Sequence, residues 1–204
     1  MMDKFLWINP VAAEMYDSPG LRQQLEQRGF EVVACDQDHI AAVRGKYRWA
    51  LEKAEGCLAD MRCPLAVDYI KVEYNPPFLE YPAIEPILLH CARELQQRLE
   101  GKGRLYVTTP CEALRDLGRS LRLPGVAFLT WAEFVRQEGL LLQKAALQAS
   151  PIPPGFFAEY GARGVMLDSK EKIDEYFSAG PRQPAESILE LLYCPQGCHK
   201  GNGV

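Results

Sequence analysis

Short apolar runs alternate along the chain with segments whose apolar positions recur at helical spacing. "KFLWINP" and "FEVVACD" read as buried strands, separated by a short helix in "SPGLRQQLEQRG" that stops at Gly29. Asp38 is placed to cap a helix through "HIAAVRGKYRWALEKAEG", with Ile40, Val43, Tyr47, Leu51 and Ala54 on one face and Gly45 as its weak point. "GCLADM" is a third strand, and Pro64 suits the first turn of a helix running "LAVDYIKVEY". After the loop "NPPFLEYP", the segment "AIEPILLHCARELQQRLEG" predicts an amphipathic helix that buries Ile87, Leu88, Cys91, Leu95 and Leu99.

The second half repeats the alternation. "RLYVTTP" is a strand, "CEALRDLG" a short helix and "GVAFLT" a strand. Thr130 and Glu133 form a capping box for a helix through "WAEFVRQEGLLLQKAALQA". "SPIPPG" reads as a linker and "GVMLD" as a short strand; Asp168 with Glu171 caps "SKEKIDEYFSAG". "PRQPAE" breaks the chain once more before a last strand, "SILELLY", which ends at Cys194. Strands separated by helices predict an α/β fold of mainly parallel βαβ units. The turn "EGKGR" divides it into two lobes, 1–101 and 102–204, that together make one domain.

Net charge near −4 and a pI near 5.5 argue against non-specific nucleic-acid binding. The basic cluster of Arg115, Arg119 and Arg122 has the spacing of a solvated helix face. No apolar run approaches the ~18 residues of a membrane span, and Phe5 to Ile8 is too short for a signal-peptide core. The chain is therefore expected in the cytoplasm, where thiols stay reduced. Seven cysteines in that setting point away from disulfides and toward metal or redox use.

Three of the expected strands end in a cysteine next to a proline: Cys63-Pro64, Pro110-Cys111 and Cys194-Pro195. Ligands of open α/β sheets sit at the carboxyl ends of the strands, so parallel strands would bring these thiols together. Cys198 joins them through its C-x₃-C spacing. Four converging thiolates suit an iron–sulfur cluster or a structural zinc. Cys63 and Cys111 would also sit at helix N-termini, which favour thiolate. Gly197 and the glycines after it would admit a bulky cofactor. Arg62 is a candidate to offset cluster charge, and His199 a candidate to hydrogen-bond near it. Cys35, Cys57 and Cys91 read as structural, and His39 and His90 as ordinary helix residues.

Three segments, "RCPLAVDYIKVEYNP", "YVTTPCEALRD" and "ELLYCPQGCHKGNGV", resemble, in order, the three signatures of the H-cluster domain of the [FeFe] hydrogenases and their sensory relatives. The resemblance extends thinly from about residue 28 to the end. It implies that Cys63, Cys111, Cys194 and Cys198 hold a [4Fe-4S] cluster. The sequence departs from the family where the two-iron chemistry resides. Arg62 stands at the proton-relay cysteine and Leu114 at the lysine that holds the two-iron subsite, while Thr109 and Leu192 replace flanking methionines. Arginine cannot shuttle protons near neutral pH. The expectation is an iron–sulfur protein for electron transfer or redox sensing, without hydrogen turnover. Its partner would be a redox or signalling protein. The alternative is a cluster-free or zinc-binding scaffold of the same fold.

Overall fold

The structure, a computed structural model, describes residues 3–179 and 187–204; the expected break at "PRQPAE" lies outside them. It is an α/β fold with two four-stranded parallel sheets. The first orders its strands β2 (Phe30–Val32), β1 (Asp3–Trp7), β5 (Gly103–Thr109) and β6 (Val126–Thr130). The second orders β4 (Leu79–Glu80), β3 (Cys57–Ala59), β8 (Ile188–Leu191) and β7 (Gly164–Leu167). Each sheet takes two strands from either side of the 101/102 turn. The sheets therefore do not divide at that turn: each sheet with its helices makes one lobe, the first around β1 and β5 and the second around β3 and β8, and the two interleave along the chain.

Alternation along the strands lets both faces of each sheet be covered, as parallel sheets require. In β1, Phe5 faces α5 (Ile87–Arg98) and α6 (Glu112–Ser120) through Leu88, Leu95 and Leu114. Its neighbour Leu6 faces the opposite layer, where Ala12 of α1 (Pro10–Tyr16), Leu25 of α2 (Pro19–Gln27), and Trp131 and Phe134 of α7 (Trp131–Glu138) pack together. In the second sheet, Ala59 and Leu189 face Val67 and Ile70 of α4 (Pro64–Glu73) and Ile173 of α8 (Lys170–Ser178). Leu58 and Ile188 face Val43 and Tyr47 of α3 (His39–Leu51) and Phe157.

Several elements differ from their expected form. Helix α7 ends at Glu138 instead of running to the linker. Gly139 turns left-handed there (φ 60°), and Arg28 takes the end carbonyls of Glu138 (2.7 Å) and Gly139 (3.1 Å). The N-cap of α8 is Ser169, whose hydroxyl accepts from Lys172 N–H, not Asp168. Helix α5 starts only after Pro86, since the residue before a proline disfavours helix. Ile40 lies on the exposed side of α3, whose buried stripe is His39, Val43 and Tyr47. The loop "NPPFLEYP" contains the two-residue strand β4, and α1 follows β1 immediately.

Candidate metal centre

Strands β3 and β8 are the central neighbours of one sheet, and β5 is a central strand of the other. Just beyond their carboxyl ends lie Cys63, Cys194 and Cys111 respectively. Cys63 is the N-cap of α4 and Cys111 the N-cap of α6, and these two helices pack on each other. Cys198 opens the short 3₁₀ turn Cys198–Lys200. The four cysteines line one narrow cavity together with Leu65, Pro110, Leu192, Tyr193, Gly197 and Gly201.

The environment of the thiols is apolar and crowded. Burial pushes the Cys63 thiol up to about 11, while the backbone N–H groups of Ala66 and Tyr193 that point at its sulfur pull the other way. Burial also raises Cys111, against the N–H groups of Leu114 and Ala113, and it raises Cys194 and Cys198. At Cys198 the negative fields of Cys63, Cys111 and Cys194 add to that rise. The four sulfurs thus sense one another. At neutral pH they stay protonated unless a cation joins them.

That donor set fits a cluster in kind and number, and the N–H groups aimed at Cys63 and Cys111 would tune the sulfurs of one if it were bound. The free space among the thiols is about 20 Å³, room for one water. A [4Fe-4S] cubane is larger than this space, so the cavity would have to widen to seat one.

The tail is a fixed wall of this cavity. Gly197 has φ 115°, and a Cβ there would lie 2.7 Å from the Ile152 carbonyl oxygen. A Cβ on Gly201 would lie 2.3 Å from the Pro110 carbonyl oxygen. Gly203 N–H donates to Pro110 O (3.0 Å), its carbonyl accepts from Ala132 N–H (2.9 Å), and Asn202 exchanges bonds with Glu112. Gly201 and Gly203 pack the tail closely on the β5–α6 corner, and Gly197 packs it on Ser150 and Ile152. Gly197 and Gly201 also line the cavity.

Arg62 and His199 do not line the cavity. The Arg62 guanidinium turns into its own lobe, where it bonds Asp60 (2.7 Å) and Glu190 (3.1 Å) and lies over the Phe156 ring at 3.8 Å. Its charge still lowers the Cys198 thiol slightly against the rise from burial. His199 is buried at 4 % exposure, and its Nδ1 has no hydrogen-bond partner. Burial, then the nearby Lys200 charge, lowers its pKa. Leu114 is buried among the apolar residues of the first lobe.

The structure also assembles a group that the sequence pattern does not announce. Cys35, a ring nitrogen of His39, and Cys91 lie within 4.8 Å of one another and could hold a metal ion; among the described residues they are the one Cys/His/Asp/Glu group of that kind. Cys35 lies past the end of β2, His39 opens α3 and Cys91 comes from α5. Only the C-x₃-H spacing was visible locally. Cys91 sat on an apolar helix face and read as core.

The chain matches no protein-family model and no curated protein sequence. Among the described residues, no helix is long and apolar enough to cross a membrane.

Proposed function

We propose that Cys63, Cys111, Cys194 and Cys198 hold a [4Fe-4S] cluster and that the chain serves electron transfer or redox sensing, as a hydrogenase-like protein that does not turn over hydrogen. The observation that carries this reading is the convergence of four thiols from three strand ends on one cavity. A cluster, when bound, would supply a one-electron redox couple whose potential follows burial and hydrogen bonds to sulfur. The chain's own part is to hold four thiolates in an apolar cavity, to aim backbone N–H groups at two of them, and to close one side with the glycine-rich tail. Arg62, the residue at the family's proton-relay position, is tied to two carboxylates and offers no titrating proton near neutral pH. Leu114 offers no hydrogen bond. A cytoplasmic redox or signalling protein is the partner class that fits.

The test is anaerobic reconstitution of the full chain with iron and sulfide, read by absorption and low-temperature EPR. The expected result is about four irons per chain, lost together in Cys111→Ser. A colourless, folded protein after reconstitution would overturn the proposal, and dye-linked hydrogen uptake would overturn the exclusion of hydrogen turnover.

A further inference from the structure

We infer that Cys35, His39 and Cys91 form a second metal site, of zinc class, separate from the four-cysteine cavity. Two thiols and one imidazole are the soft and borderline donors that zinc selects. They already touch: the Cys91 thiol hydrogen-bonds the Cys35 sulfur, and the Trp7 side chain hydrogen-bonds Cys35 as well. A ring nitrogen of His39 lies within 4.8 Å of both sulfurs.

The surroundings carry the inference beyond proximity. His39 Nε2 bonds Glu94 Oε2 at 2.7 Å, with both side chains under a tenth exposed. A carboxylate there fixes Nε2 as the protonated nitrogen and leaves the Nδ1 lone pair for a metal. This is the arrangement that orients metal-binding histidines and raises their basicity. Glu94 is itself held, by the N–H groups of Asp36 (2.8 Å) and Gln37 (3.2 Å), with Arg98 beside it at 3.7 Å. The candidate ligands thus come from the loop after β2, the head of α3 and α5, with Glu94 already bonded to His39. Two thiolates would neutralise a divalent ion, and Arg98 stands between the Glu94 and Asp36 carboxylates. Cys35 is only half-buried, so a fourth position open to solvent is available for a water or an exchangeable ligand.

The test uses the full chain carrying Cys111→Ser and Cys198→Ser, which disables the first cavity, under reductant and titrated with cobalt(II). About one equivalent should bind, with thiolate charge-transfer and tetrahedral d–d absorption bands. Adding Cys35→Ser or Cys91→Ser should abolish the bands, and Glu94→Gln should keep them while weakening affinity about 10- to 100-fold. Cys35→Ser is decisive should the buried Cys91→Ser fail to fold, as judged by far-UV circular dichroism. Absence of bound cobalt in the folded parent, or bands that persist in folded Cys35→Ser, would overturn the site. Neither result bears on the iron content of the unaltered first cavity.

Discussion

Replacing Arg62 by methionine would strand two carboxylates inside the second lobe. Asp60 is fully buried and Glu190 nearly so, and the guanidinium between them is 8 % exposed. Methionine keeps the contact with the Phe156 ring, which lies 3.8 Å from the arginine, so the change isolates charge from packing. Removing one partner of a buried ion pair costs about 3–5 kcal/mol, because the charges left behind are neither solvated nor paired. The surviving hydrogen bonds place the loss toward the lower end. Asp60 retains the Tyr47 hydroxyl (3.3 Å) and the residue-62 N–H (3.0 Å), and Glu190 retains the N–H groups of Gly155 (2.9 Å) and Phe156 (3.0 Å). With a urea slope of about 2 kcal/mol/M, the midpoint should fall by about 1.5 M. Equilibrium urea unfolding followed by tryptophan fluorescence and circular dichroism measures it. Adding Glu190→Gln to Arg62→Met should restore part of the loss. A loss below about 1 kcal/mol would refute the argument and mean that water reaches the pair.

Gly201→Ala would drive a Cβ against the Pro110 carbonyl, a backbone atom that cannot step aside. Overpacking of this kind costs about 1–3 kcal/mol; the thermal midpoint should fall by roughly 3–9 °C, with less iron taken up on reconstitution, and unchanged values would show that the tail does not seal the cavity. Metal-free protein should also lose stability as pH rises from 9.0, the ordinary value, toward about 11, where burial has set the Cys63 thiol. The folded state holds its proton in that window while the unfolded chain releases it, so the unfolded chain binds fewer protons and stability falls by about 2 kcal/mol for this group. Urea midpoints compared across that range check the sign, and a rise in stability would refute it.

Most strands, and the caps of α3 and α7, were legible because their causes are local. Apolar runs such as that of β1, the Thr130–Glu133 capping box and Pro64 at the head of α4 act within a few residues. The cysteine–proline pairs were legible too, once strand ends and parallel pairing were assumed. The end of α7 was not, since the Arg28 side chain that binds its last carbonyls comes from a distant helix end.

By itself, then, the sequence determined the α/β alternation, the parallel sense of the strands and the four thiols placed beyond strand ends. Tertiary structure decided what non-local pairing controls. Parallel neighbours are joined by crossovers and need not be consecutive, so the sheets interleave across the 101/102 turn. Side-chain direction was likewise settled in three dimensions. Arg62 turned toward two buried carboxylates instead of the cavity, because a buried cation goes where its charge is matched. Cys35, His39 and Cys91 met only because β2's exit, the head of α3 and the inner face of α5 pack at one corner.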